Sequence, residues 1–153
     1  MRVLTKIDFQ SRRISQISDF TELVEMLFPG NRNQQHAAAC IFFELKWANR
    51  IVPNLAYIEC RYNVSRRILQ RARAKLARLG LIEHVGYLNS RYGGQHGWRL
   101  SSHFGQALSR LAVKCVEFKR TDTGSTAKDR LLLQFADARR TAGPAIKEKN
   151  GGE

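Results

Sequence analysis

Apolar residues recur every three to four positions over most of the chain, and this spacing predicts a largely helical protein. A first helix is predicted over residues 18–28, because Asp19 is suited to cap its start and Pro29 stops the run. A second helix is predicted from about Gln34 to Asn49. Its stripe is broad enough for a core helix and comprises Ala37, Ala38, Ile41, Phe42, Leu45 and Trp47.

The central part of the chain predicts two helices joined by a tight turn. Residues 51–52 form an apolar pair that suits one short strand, and a helix is predicted over 53–62. Asn63 follows it, and asparagine tolerates a left-handed backbone better than most residues. Ser65 is a good N-cap for a long helix over 66–79.

The helix over 66–79 has two chemically different sides. One side carries its leucines and Ala72 and is apolar. The other side is almost purely cationic and amide, and it comprises Arg67, Gln70, Arg71, Ala74 and Arg78.

After Gly80 the pattern changes from a helical to a strand period. Residues 81–87 suit a strand, 89–97 are rich in Gly, Asn, Ser and Arg and suit a loop, and 98–100 suit the returning strand. The three segments together predict a β-hairpin. Two more amphipathic helices are predicted beyond the hairpin, over 102–118 and 126–140.

Charge narrows the function classes. The 153 residues carry 26 Lys and Arg against 13 Asp and Glu, a net charge of +13, so a polyanion is the first partner to consider. The excess is local, because residues 61–100 carry nine basic and one acidic side chain, whereas residues 1–60 carry seven and six. Arginine dominates this region, and its planar fork suits both phosphate and guanine edges.

Several classes of protein are disfavoured. No stretch approaches 18 uninterrupted apolar residues, so no membrane span is expected. The N-terminus has no apolar run followed by a small-residue cleavage site, so no signal peptide is expected. Cys40, Cys60 and Cys115 are odd in number and widely spaced, which argues against a disulfide framework. We therefore expect reduced thiols in a cytoplasmic or nucleoid-associated protein.

Catalysis and metal binding are not expected. The chain has no GxSxG, P-loop or HExxH motif, and it lacks the acid cluster that a nuclease or recombinase needs. His84, His96 and His103 could approach one another across the hairpin, but no cysteine or acidic residue stands at ligand spacing beside them. We expect no enzymatic activity, no cofactor and no metal site.

The middle of the chain resembles the winged-helix regulators of bacteria and archaea. In those families an apolar–x3–apolar-Gly-Val-Ser pattern closes one helix and opens the recognition helix, and Gly-Leu-Ile or Gly-Leu-Val later begins the wing. Here residues 58–65 and Gly80-Leu81-Ile82 occupy those positions, with Asn63 in place of the turn glycine and Glu59 in place of a small residue. The resemblance covers Ile51 to Leu100 and includes features of both GntR-type and MarR-type domains.

This resemblance implies a docking mode on DNA. Helix 65–79 would enter the major groove and the wing over 86–97 would lie on the adjacent backbone or minor groove. Base contacts are expected from the N-terminal half of the helix, and phosphate contacts from its remaining arginines and from two helix N-termini. The residues implied are Asn54, Ser65, Arg66, Arg67, Gln70, Arg71, Arg73, Arg78, Arg91 and Tyr92.

The sequence thus predicts a mainly α protein with a small β-hairpin (α+β), a winged helix-turn-helix with extra flanking helices. Its segments are an N-terminal extension and helix (1–33), the winged-helix domain (34–118), a linker with an amphipathic helix (119–140), and a disordered tail (141–153).

The expected function is sequence-specific binding of double-stranded DNA by a homodimeric transcriptional regulator. The apolar stripes over 18–28, 102–118 and 126–140 are available for the dimer interface. Two alternatives stay open at this point. One is a plasmid or viral replication or partition protein, and the other is a winged-helix module that binds protein or RNA.

Overall fold

The computed structural model describes residues 5–86, 91, 93–122 and 124–143, which form a mainly helical chain with a small antiparallel sheet. This confirms the predicted α+β class. The elements in chain order are α1 (Ser11–Gln16), α2 (Phe20–Leu27), α3 (Arg32–Trp47), α4 (Tyr57–Arg61), α5 (Arg66–Leu79), β1 (Ile82–Val85), β2 (Gly97–Leu100), α6 (His103–Lys119) and α7 (Thr126–Thr141).

Helix α2 forms where it was predicted and packs into the core. The Oδ1 atom of Asp19 accepts hydrogen bonds from the backbone N–H groups of Thr21 and Glu22 at 2.8 and 3.0 Å, which satisfies two of the unpaired donors of the first turn. The apolar side of α2 is buried against α3. The expectation that the stripe over 18–28 is available to a second copy is therefore wrong.

Helix α3 is the central helix of the core. It starts two residues earlier than predicted, because the Asn31 side chain caps it by accepting from the backbone N–H of Gln34 at 3.0 Å. Leu45 is buried, but Trp47 is 66% exposed, so its predicted place in the core is wrong. The reason is geometric, because two residues along a helix correspond to a rotation of about 200°.

The turn between α4 and α5 follows the sequence prediction. Asn63 adopts a left-handed backbone with φ 51°, and the Ser65 hydroxyl accepts from the backbone N–H of Ile68 at 3.3 Å. Gly80 ends α5 with φ 90°, as a left-handed C-terminal residue should. The α4 helix itself is shorter than predicted, since residues 53–56 form a turn before it.

The sheet pairs β1 with β2 in register from Ile82 opposite Leu100 to Val85 opposite Gly97. The predicted strand at 51–52 is a single bridge, in which Val52 and Trp98 exchange two backbone hydrogen bonds of 2.7 and 2.9 Å. Gly97 is required here, because its φ is +130° and a Cβ would collide with the Val52 carbonyl oxygen.

The chain divides into two compact units, Met1–Ser109 and Arg110–Glu153. Within the described residues, the first unit holds all of the buried core, which the apolar sides of α2, α3 and α5 share with Val52 and β1. The second contains the C-terminal part of α6 and all of α7, and every described residue in it is exposed. Of the tail predicted to be disordered, only residues 141–143 belong to the described chain.

Candidate nucleic-acid interface

The α5 helix presents a cationic face to solvent. Five of the residues singled out from the sequence are exposed along it, and they fall within an arc of about 140° around the helix axis. Within the described chain none of them forms an ion pair with an acidic residue, and α5 itself contains no acid. The five residues of this α5 arc are Arg66, Arg67, Gln70, Arg71 and Arg78.

The opposite side of α5 anchors the helix in the core. Leu69, Ala72 and Leu76 are buried there, and Lys75 is buried beside them. The Lys75 ammonium donates to the backbone carbonyl oxygens of Lys6, at 2.7 Å, and of Leu27. It also lies 4.6 Å from the centre of the Phe28 ring, and burial lowers the pKa of Lys75.

Lys75 is thus a structural cation that the charge count alone could not distinguish from its neighbours. The only sequence indication is its place on the apolar side of the helical wheel. Its contacts bind α5 to the end of α2 and to the segment before α1, and they remove it from the candidate interface.

Two residues expected at helix N-termini differ in position. Ser65 is the N-cap of α5 and is exposed, so the free N–H groups of the first turn are beside it. Asn54 lies two residues before the N-cap of α4, which is Ala56, and its Oδ1 accepts from the Ala56 N–H at 2.7 Å. Asn54 is therefore a turn residue, contrary to its predicted place at a helix start.

A carboxylate on α3 organises α4 and the turn after it. Glu44 accepts hydrogen bonds from the hydroxyls of Tyr57 and Tyr62 at 3.1 and 2.6 Å, and from the Arg61 guanidinium at 2.9 Å. Burial disfavours ionisation of Glu44, but the bonds from Tyr62, Arg61 and Tyr57 outweigh it and lower its pKa. Hydrogen bonding to Glu44, with burial, raises the pKa of Tyr62 to about 12.

This network was missed at the sequence level, because its members are 13 to 18 residues apart. It has two consequences for the candidate interface. It fixes α4 against α3, just before the turn that leads into α5. It also engages Arg61, which would otherwise add to the surface charge.

The hairpin is held against α5 by a stack of three side chains. The guanidinium carbon of Arg73 lies 5.0 Å from the centre of the Trp98 ring, within the range of a cation–π contact. The His84 ring meets the same indole edge-on, with ring centres 5.0 Å apart. Arg73 is half-buried by this contact, so it differs from the exposed residues of the α5 arc.

The far side of the hairpin forms a polar cleft with the start of α6. Arg91 and His103 are exposed at this cleft, and Arg99 lines it as a half-buried residue. Glu83 lies 3.2 Å from the Arg99 guanidinium and 3.8 Å from the His103 Nδ1 atom. Tyr92, the other residue expected at the wing tip, lies outside the described residues.

Other kinds of site are not formed by the described residues. No three His, Cys, Asp or Glu side chains among them lie close enough to hold a metal ion. None of the helices in that part of the chain is long and apolar enough to cross a membrane.

Comparisons with known proteins identified no similar protein. The chain matches no protein-family model, no curated protein and no solved structure. Its chemistry is therefore inferred from its own surfaces.

Proposed function

We propose that this chain is a winged helix-turn-helix protein that binds double-stranded DNA in a sequence-specific manner. The observation that carries the proposal is the α5 arc. Four arginines and one glutamine face solvent together on a capped helix whose opposite side is buried in the core. Such a helix presents its cations on a rigidly anchored surface, which suits binding in a groove lined by phosphates.

The order of elements also supports the proposal. The series α3, the bridge at Val52, α4, the turn at Asn63, α5 and the hairpin corresponds to what a helix-turn-helix unit followed by a wing requires. In this arrangement α4 crosses the DNA backbone while α5 lies in the groove. An α-helix with its side chains is about 10–12 Å across, which matches the width of the major groove.

Individual roles follow from position along the helix. Arg67 and Arg71 are one turn apart, and each can contact the O6 and N7 atoms of guanine. Gln70 lies between them and suits the N6 and N7 atoms of adenine. Arg78 lies in the last turn of α5, where a phosphate contact fits better than a base contact.

The hairpin would act as the wing. Its attachment to α5 through Trp98 fixes its direction relative to the helix, so helix and hairpin can approach one duplex as a unit. Arg91 would then meet the backbone or the minor groove beside the site of α5.

We further propose that the protein acts as a homodimeric transcriptional regulator on a palindromic site. The test is selection of bound sequences from a random duplex pool at stated salt. One enriched palindrome is expected. Tandem repeats with cooperative footprints would instead favour replication or partition, and the absence of any enriched sequence would refute base recognition.

Variants separate base contacts from phosphate contacts. Arg67→Ala or Arg71→Ala should weaken the selected site by about 1–3 kcal/mol and relax specificity at one position. Arg78→Ala should weaken all duplexes alike and flatten the salt dependence. Arg130→Ala, an exposed arginine of α7, is the matched control and should change neither. Equal effects of all four variants on selected and random duplexes would refute the assignment.

A further inference from the structure

The C-terminal unit exposes an unusual amount of apolar surface. Every described residue from Arg110 to Gly143 is exposed. Eight of the thirteen large hydrophobic side chains exposed in the described chain lie in this segment, with exposed fractions between 50% and 79%. They are Leu111, Val113, Val116, Phe118, Leu131, Leu132, Leu133 and Phe135.

Helices of this kind are not expected to remain uncovered. An isolated helix of 16 or 17 residues, the lengths of α7 and α6, is marginal in water, and most helical stability in proteins comes from packing an apolar face. Neither helix contains a fully buried residue, although Phe104, at the start of α6 in the N-terminal unit, packs against the core. Something must therefore cover these faces when the protein is in its working state.

The apolar residues of α7 define a stripe. Leu131, Phe135 and Leu132 fall within an arc of about 100° of the helix circumference. Leu133 projects from the opposite side, between charged residues that include Asp137 and Arg140. We call the first three residues the α7 stripe.

The exposed end of α6 is more apolar still. Its side chains Leu111, Val113, Val116 and Phe118 are distributed over more than half of the helix circumference, on the usual spacing of about 100° per residue. A helix that is apolar on most sides is normally enclosed by others. One neighbouring helix could not cover it.

We propose that a second copy of this chain covers these faces, so that α6 and α7 of two protomers form a symmetric helical interface. The exposed area suits this occupant. Without Leu133, seven side chains remain, and at about 100 Å² each they offer about 700 Å² per chain, which is close to the roughly 800 Å² that one partner buries in a stable protein–protein interface. Two α6 and two α7 helices can enclose a core of the helix-bundle type.

The surrounding charges can also face a second copy. The two helices carry seven Lys and Arg against three Asp and Glu, and Lys114–Glu117 and Arg140–Asp137 already form pairs at 3.4 and 2.6 Å. Because a two-fold axis brings the same groups of both copies together, a carboxylate of one copy can pair with a basic residue of the other.

This proposal rests on the homodimer of the proposed function and identifies the surface through which the two copies would associate. Its evidence is the exposed apolar faces of α6 and α7 and does not involve DNA binding. Removal of this interface should leave the α5 arc intact. A failure of the interface and a failure of DNA recognition are therefore separable by experiment.

The test is the mass of the full-length chain, measured by sedimentation equilibrium over a range of concentrations. The wild type should be dimeric at micromolar concentration. Leu131→Glu and Phe135→Glu place a charge in the α7 stripe and should each raise the dimer dissociation constant by about 100-fold or more. Leu133→Glu on the opposite side of α7 is the matched control and should leave it unchanged.

Thiol reactivity checks the same surface on α6. Cys115 lies among the apolar residues of α6, whereas Cys60 is exposed on α4, and Cys40 is buried. In a Cys60→Ser chain, the maleimide reaction of Cys115 should slow as protein concentration rises through the dimer range. In a Cys115→Ser chain, the reaction of Cys60 should not depend on concentration.

Four outcomes would overturn the proposal. They are a wild type that stays monomeric, a dimer that survives both stripe variants, equal loss of the dimer in Leu133→Glu, and concentration-independent labelling of Cys115. A monomer that binds anionic vesicles through these residues would assign the faces to a membrane surface. Circular dichroism of each variant should show an unchanged melting transition of the N-terminal unit, because the substituted side chains contribute nothing to its core.

Discussion

Glu44 offers the sharpest test of how α4 and the turn before α5 are held against α3. Glu44→Gln keeps the size of the side chain but removes its charge, so the hydrogen bonds from Tyr57 and Tyr62 lose their ionic character. The Glu44 side chain is only 11% exposed, whereas that of Arg61 is 59% exposed. Solvent therefore screens the Arg61 ion pair, and most of the stabilisation must come from the two hydroxyls.

The magnitude can be bounded in two ways. A hydrogen bond to a charged group contributes about 1.5–3 kcal/mol, and one between neutral groups about half of that. Raising the pKa of Tyr62 from 10.0 to about 12 corresponds to at most about 2.7 kcal/mol of preference for its protonated form. Glu44→Gln should thus lower the free energy of unfolding by about 2 kcal/mol at pH 7.

The pH dependence of stability gives a second signature. The pKa of Tyr62 is raised in the folded state, so its contribution is complete below pH 10 and is lost as the pH rises from 10 toward 12. The pKa of Glu44 is lowered, so its contribution is lost as the pH falls through its folded value. Glu44→Gln should remove both changes. Lys75, whose lowered pKa acts in the opposite direction at high pH, is present in both proteins and cancels in the difference.

The assay is urea denaturation of the wild type, Glu44→Gln and Tyr62→Phe at pH 7 and across pH 8 to 11. Glu59→Gln, a half-buried carboxylate on α4, is the matched control and should cost under about 0.5 kcal/mol, as surface substitutions usually do. The reasoning fails if Glu44→Gln costs no more than Glu59→Gln. It also fails if the alkaline loss of stability is as steep without the Glu44 charge as with it.

Three further changes probe the contacts that position α5 and the hairpin. Gly97→Ala should lower the free energy of unfolding by about 2–4 kcal/mol, because the φ of Gly97 is +130° and a Cβ there would collide with the Val52 carbonyl oxygen. Gly94→Ala is the control. No atom lies within 4 Å of a Cβ at that position, so this change should cost about 1 kcal/mol in urea denaturation. Lys75→Met should cost about 1–3 kcal/mol in urea denaturation, since two backbone carbonyls lose their donor. Trp98→Leu removes the contact with Arg73, so it should lower the melting temperature and, under the proposed function, weaken wing-dependent DNA protection in footprints. An unchanged footprint would refute the role of Trp98 in attaching the hairpin to α5.

The parts of the fold that could be predicted from the sequence are those fixed by local geometry. Asn63 and Gly80 adopt left-handed backbones and Ser65 caps α5, and each of these features depends on residues within four positions. The spacing of apolar residues likewise identifies α5 and both of its faces, because side chains three to four positions apart in the sequence lie on the same side of a helix.

The sequence could not predict which part of the molecule, or which partner, covers each apolar helix face. A helical stripe shows that a face must be covered, but it does not show by what, and α2 and α7 have similar stripes with opposite outcomes. The α2 stripe is buried on α3, and the α7 stripe is exposed. The bonds of Glu44 and Lys75 were equally inaccessible, since they join residues up to 69 positions apart.

The structure also changes what the charge of the central region means. Of the nine basic residues between 61 and 100, Lys75 is buried, Arg61 is paired with Glu44, Arg99 is paired with Glu83, and Arg73 is stacked on Trp98. The four arginines of the α5 arc are exposed at the candidate interface and form no ion pair within the described chain.

The smaller number of available cations predicts a weak salt dependence for the proposed DNA complex. The four arginines of the α5 arc give a slope of log affinity against log salt no steeper than about −3.6 per copy, whereas eight cations, the net charge of the region, would give about −7. The measurement is a binding titration on one duplex between 50 and 200 mM salt, with the number of bound copies fixed by sedimentation. A slope near −7 per copy would mean that the paired arginines leave their carboxylates on binding, and that the surface seen in the free protein is not the one that meets DNA.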